Sequence, residues 1–118
     1  MGLPSAGDVV ILPFPFSDLS NSKIRPAVVL ARANENDWIL CQITSNPYGD
    51  AQAIVIDLTD FKSGMLRLKS YARPSKLFTA NESLIIGIEG TLKPEKLLEI
   101  RNAIIKILTE EPSQTEED

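Results

Sequence analysis

"KPEKLLEIRNAIIKIL", Lys93–Leu108, is where the chain changes its period. Leu97, Ile100, Ile104 and Leu108 recur at helical spacing, so one face of a helix is apolar. Pro94 suits the first helical position, because its missing N–H has no partner there anyway. Lys93 before it is a poor cap. Upstream the pattern is different. "DVVILPF" (8–14), "AVVLARA" (27–33), "WILCQITS" (38–45), "QAIVIDL" (52–58) and "SLIIGIEGTL" (83–92) are short apolar runs separated by turn residues, the signature of strands, with the more polar "RLKSYARPSKLFTA" (67–80) between the last two. Several short strands followed by one terminal helix predict a small curled β-barrel with the helix packed across it.

Within the strands, Ile39, Cys41 and Ile43 alternate onto one face, expected to be core. Leu40, Gln42 and Thr44 share the other, expected to be more polar. Ile54, Ile56 and Leu58 likewise share a face. "PFSDLSNSK" (15–23) has loop composition, and "TDFKSGML" (59–66) reads as a turn in which Gly64 supplies a positive φ. Pro26, without an N–H, is expected at the first position of a strand, and Pro74 at a bend or edge.

The chain has 118 residues, 43% hydrophobic and 24% charged, which suits a single globular domain. No apolar run approaches the roughly 20 residues of a membrane span, and the start lacks the pattern of a signal peptide. The expected location is cytoplasmic. There is no histidine, which closes off His-based proton transfer, Ser–His–Asp chemistry and most zinc sites. One cysteine, Cys41, excludes an internal disulfide; its apolar neighbours point to core rather than nucleophile. Trp38 likewise reads as packing. The net charge is −4, yet residues 109–118, "TEEPSQTEED", hold five of the 16 acids and no base. The rest of the chain then carries 12 bases against 11 acids. The reading is a barrel domain over 1–108 and an acidic, disordered tail over 109–118.

Three groups of residues can carry chemistry. Arg25 stands where a polar run hands over to an apolar strand, and a guanidinium there can bind phosphate in bidentate fashion. It can equally pair with Asp8 or Asp18 on the surface. Thr44 and Ser45 end a strand, where their hydroxyls can donate to a phosphoryl oxygen or cap the following turn. In "KSYARPSK" (69–76), Lys69, Arg73 and Lys76 add positive potential, Ser70 is polar and Tyr71 can stack a base. A solvated sheet edge with protective lysines explains the same residues.

Taken in order, "GDVVILPFPFSDLSNSKIRPAVVLA", "QITS", "SYARPSKLFT" and "GTLKPEKLLEI" resemble the MazF/PemK family of toxin endoribonucleases, and its PemK-like branch in particular. The resemblance implies an SH3-like β-barrel of the MazF/PemK/CcdB kind with a C-terminal helix, acting as a homodimer. It implies metal-independent, sequence-specific cleavage of single-stranded mRNA without a cofactor, and a cognate antitoxin as partner. By the same resemblance Arg25 and Thr44 are catalytic; from their chemistry, Lys23, Ser45, Lys69, Ser70, Tyr71 and Arg73 are the expected RNA contacts. Some relatives carry an acid near the position of Ser70, and a proline where Gln42 stands. No proton acceptor is identified. The competing reading is a barrel of the same family that binds nucleic acid or peptide without cutting it.

Overall fold

The computed structural model describes residues 2–15 and 22–110. Positions 16–21, part of the stretch expected to be loop and including Asp18, and positions 111–118, most of the expected acidic tail, lie outside the described residues. Seven strands form one antiparallel sheet: β1 (Asp8–Pro15), β2 (Ser22–Arg32), β3 (Asp37–Thr44), β4 (Ile54–Ile56), β5 (Phe61–Gly64), β6 (Ser70–Asn81) and β7 (Gly87–Leu92). Their spatial order is β4-β6-β3-β2-β1-β7-β5, and the sheet curls into a half-barrel closed by helix α1 (Pro94–Thr109).

The sheet buries both of its faces. Val9, Val28, Leu30, Cys41, Ile43, Ile56, Ala72 and Leu92 pack against Ile100 and Ile104 of α1. On the other face Val10, Leu12, Ala27, Val29, Trp38, Leu40, Ala80 and Ile85 form a second cluster. Cys41 and Ile43 are therefore core as expected, with Ile39 packed beside them. Leu40, however, is also fully buried. The expected polar side of β3 is polar at Gln42 and Thr44 but apolar at Trp38 and Leu40, which share a cluster with Ile85 of the β6–β7 connection.

Bulges make the curl possible, since an extra residue in one strand bends it and raises its twist. In β2 the register moves between Val29↔Leu40 and Ala31↔Ile39, leaving Leu30 as the extra residue. Its carbonyl accepts a hydrogen bond from Arg101 of α1 at 2.6 Å, which ties the helix to the bend. In β7 the pairs Val9↔Gly90 and Val10↔Ile88 leave Glu89 unpaired. The largest slip is in β6. Cys41 pairs with Leu77, but Ile43 pairs with Ala72 where regular pairing would bring Ser75. Three residues around Pro74 are thus taken up in the irregularity. Because strand side chains alternate, an odd slip exchanges the faces. Ala72 and Ala80, an even number apart, consequently lie in opposite clusters. Pro74 does mark an irregularity, as its chemistry predicts. The Cys41 Sγ–H donates to the carbonyl of Arg73 at 3.2 Å within it.

Other expectations need correcting. β2 begins at Ser22, so Arg25 and Pro26 lie inside a strand, opposite Leu12 and Ile11. Pro26 is tolerated there because pairing of β2 with β3 begins only at Ala27, leaving β1 as its one partner. β4 stops at Ile56. Leu58 sits in a 3-10 turn, Leu58–Asp60, and is 63% exposed. The Asp60 carboxylate accepts from the Asp57 N–H at 2.8 Å, drawing the chain out of the strand. Part of the predicted turn 59–66 is strand β5, although Gly64 does have φ +71°. In α1 the face built on Ile100 and Ile104 is buried, but Leu108, on the last turn, is 71% exposed and lies outside the core. Pro94 does open the helix, and no side chain caps it at Lys93. Instead the buried Lys96 clamps the first turn: its Nζ donates to the Val55 carbonyl at 3.0 Å and pairs with Glu99 at 2.8 Å and Asp60 at 3.6 Å.

Candidate functional site

The ladder between β2 and β3 ends at the pair Ala27↔Gln42. Beyond it the two strands part, and a cleft of about 330 Å³ opens between them. Two residues past the final pair, on the same face, stand Arg25 on β2 and Thr44 on β3. Both line the cleft, together with Lys23, Ser45 and Ser70. Ile11, Ile24, Pro26 and Ile43 form its apolar floor, and the β5–β6 connection, through Leu66, Arg67 and Leu68, makes a wall. Two parts of the chain that are distant in sequence are thereby joined in one hollow.

Each polar group has a definite state. Arg25 is half-buried. The Asp8 carboxylate, one of its conceivable partners, accepts instead from the Ser5 N–H at 2.9 Å and the Thr91 hydroxyl at 2.8 Å. The other, Asp18, lies outside the described residues. The Thr44 hydroxyl donates to the Asn46 carbonyl at 3.1 Å and accepts from the Asn46 N–H at 3.2 Å. The turn-capping role anticipated for this residue is therefore real. A hydroxyl has one proton, so donating to a phosphoryl oxygen means exchanging the Asn46 carbonyl for it. Ser45 is exposed at the rim. Ser70 is 5% exposed and its hydroxyl donates to the Leu68 carbonyl at 2.8 Å, fixing the β5–β6 wall.

The remaining candidates stand elsewhere. Tyr71 pairs across the ladder with Thr44 and is half-buried, but does not line the cleft. Lys69 lines a neighbouring hollow with Ile56, Phe61 and Met65, which shares Leu66, Arg67 and Leu68 with the cleft. Arg73 is engaged by Asp50 through an Nε–Oδ2 bond of 2.8 Å. That bond, first of all, holds the Asp50 carboxyl below the usual carboxylate range. Cys41 and Trp38 are packing residues: burial pushes the Cys41 thiol up to about 12, and the Trp38 indole N–H donates to Glu82 at 3.1 Å beneath the Arg32 guanidinium.

Two charged lining residues, Arg67 and Glu89, are not among the sequence candidates. Arg67 sits in a turn, and Glu89 is aimed by a one-residue bulge. With Lys23 and Arg25 the cleft holds three cations and, among the described residues, one carboxylate. A larger hollow, about 420 Å³, lies between Leu12, Phe14, Phe78 and Leu84, but it offers a phosphate only Lys76. Among the described residues no three His, Cys, Asp or Glu side chains group as metal ligands, and no helix is long and apolar enough to cross a membrane.

Residues 5–108 match the PemK-like, MazF-like toxin of type II toxin–antitoxin system family. The chain belongs to that family. Solved structures agree on the fold. MazE–MazF from Deinococcus radiodurans superposes with a TM-score of 0.72 at 19% identity, covering 91% of this chain and 97% of its counterpart. An endoribonuclease from a mycobacterial species gives 0.70 at 14% identity, covering 95% and 98%. An endoribonuclease in complex with its cognate antitoxin, also mycobacterial, gives 0.65 at 14%, covering 96% and 99%. No curated protein matches the sequence.

Proposed function

We propose that the protein is the toxin of a type II toxin–antitoxin pair and a sequence-specific endoribonuclease that cuts single-stranded mRNA. The observation that carries this reading is the convergence of Arg25 and Thr44 in one cationic cleft of a PemK/MazF-family barrel. A cognate antitoxin is its regulatory partner, and it works in the cytoplasm as a homodimer.

RNA brings its own nucleophile, the 2′-hydroxyl, so the protein must orient it, stabilise charge and let the 5′-oxygen leave. Arg25 presents a planar fork of donors to the non-bridging oxygens as negative charge builds on them. Thr44 donates a further hydrogen bond. Lys23 and Arg67 hold flanking phosphates. Neither the nucleophile nor the charge stabilisation calls on a metal. The products are a 2′,3′-cyclic phosphate and a free 5′-hydroxyl.

The test is incubation with a mixed-sequence RNA transcript in excess chelator, with the ends mapped by primer extension. Discrete cuts ending in cyclic phosphate support the proposal. Cuts that vanish with EDTA and return with magnesium remove the metal-free mechanism. RNA bound but never cut favours a binding barrel instead.

A further inference from the structure

The proposed reaction needs a group to take the 2′-hydroxyl proton, and neither Arg25 nor Thr44 suits that task. An arginine stays protonated at any working pH, and the threonine hydroxyl is itself a weak acid. We infer that Glu89 is the general base of this cleft. The inference rests on the endoribonuclease reading and adds to it a catalytic residue.

Three observations lead there. Glu89 lines the same cleft as Arg25 and Thr44, and it is the one carboxylate among the described lining residues. Its position is built rather than incidental. The bulge in β7 removes Glu89 from the ladder with β1, and bulges re-aim a side chain while fixing its backbone. The Glu89 carbonyl accepts from the Met65 N–H at 3.2 Å, pinning the bulge to the start of the β5–β6 wall. Glycine is required on both sides of the contact. Gly64 has φ +71°, and a Cβ at Gly90 would lie 2.6 Å from the Ser63 carbonyl oxygen. The close approach of β5 and β7 therefore sets where the carboxylate emerges. Third, the side chain is exposed and forms no ion pair among the described residues, so water and substrate reach it.

The charged groups facing it come from two elements: Lys23 and Arg25 from β2, and Arg67 from the β5–β6 connection. β1 contributes Ile11, β3 contributes Ile43 and Thr44, and Ser45 follows β3, none of them charged. A carboxylate is an acceptor-only group when ionised, and these three cations leave Glu89 as the one side chain of the cleft, among the described residues, that can take a proton in this way. In the step, a Glu89 oxygen takes the 2′-hydroxyl proton as the 2′-oxygen bonds to phosphorus and the bond from phosphorus to the 5′-oxygen breaks. Solvent water protonates the departing 5′-oxygen. The hydroxide left behind recovers the proton from the Glu89 carboxylic acid, and the enzyme is regenerated.

The experiment compares the full chain with Glu89→Gln and Glu89→Asp. The substrate is a short oligoribonucleotide carrying the site mapped on the transcript, and the binding probe is the same oligonucleotide with a 2′-deoxy sugar at the cleaved position. Glu89→Gln should lower the single-turnover rate by about 10²-fold, the low end for a lost general base. Its affinity for the 2′-deoxy probe should be unchanged or tighter, because a negative charge has left a phosphate site. The acid-side limb of the pH–rate profile should vanish in Glu89→Gln and persist in Glu89→Asp. A Glu89→Gln rate within about threefold of wild type, or an unchanged acid limb, overturns the inference and leaves the endoribonuclease reading standing. A wild-type chain that cuts no RNA overturns both.

Discussion

Arg25 and Thr44 face one another across the point where β2 and β3 part, each two residues beyond the last rung, Ala27 and Gln42. The arrangement places a fixed charge and a hydroxyl at the mouth of a gap that the sheet itself creates. Neither side chain supports a core cluster, so each can be altered with little effect on the fold.

Arg25→Ala should reduce the RNA cleavage rate by about 10²–10³-fold, the range for a lost oxyanion-type donor. Thr44→Val should be milder in rate but lower the melting temperature slightly, because it also removes both bonds to Asn46. Thr44→Ser keeps the hydroxyl and should restore both. Single-turnover kinetics beside thermal melting checks this. Wild-type rates in both Arg25→Ala and Thr44→Val place the chemistry elsewhere.

Binding should depend on salt through Lys23, Arg25 and Arg67. Each phosphate contact with single-stranded nucleic acid contributes about 0.7 to the slope of log affinity against log salt. Lys23→Ala and Arg67→Ala should each reduce that slope by about this amount when titrated with the 2′-deoxy oligonucleotide. An unchanged slope removes the residue from the RNA path.

The Cys41 thiol is sealed in the core and its ionisation is pushed up to about 12 by burial. Thiol reagents at pH 8 should label it only after denaturation, since the thiolate is the reactive form. Rapid labelling of the native protein, followed by mass spectrometry, is the outcome that contradicts this core.

The Asp50–Arg73 pair should make stability acid-sensitive. The folded Asp50 carboxyl titrates below its ordinary range, so the unfolded chain binds more protons as pH falls through the interval between the two. The stabilisation is whole at neutral pH and is lost as pH drops through the depressed folded value. Arg73 is partly open to solvent, so Asp50→Asn should cost no more than about 1 kcal/mol at pH 7. It should also flatten the loss on acidification, as read by denaturant melts across that range.

The sequence was most legible where one periodicity ran unbroken. The repeat of Leu97, Ile100 and Ile104 located α1 to within a residue, and the alternation of Ile39, Cys41 and Ile43 located a core face. Leu40 was misjudged because alternation says which residues share a face, not whether a distant segment covers that face. Ile85, which does so, arrives from the far end of the chain. Within the cleft, Arg25, Thr44 and Ser45 were recognisable from short motifs. Glu89 was not, because a bulge is a mismatch between two strands and leaves no trace in either one alone. Arg67 was hidden for a similar reason: its place is set by how the β5–β6 connection folds against β2 and β3.

The slip around Pro74 has a consequence for length. Positions before and after it, Ala72 and Ala80, serve opposite sides of the sheet because an odd number of residues is set aside between them. Residues 73–76 together stand opposite Gln42 alone, so a residue removed from Ser75–Lys76 comes out of the irregularity, and Leu77–Asn81 keep both their rungs and their sides. Removing one residue from Phe78–Thr79, beyond the slip, would instead turn Ala80 out of its cluster. Changes of length should be tolerated inside the slip and not beside it.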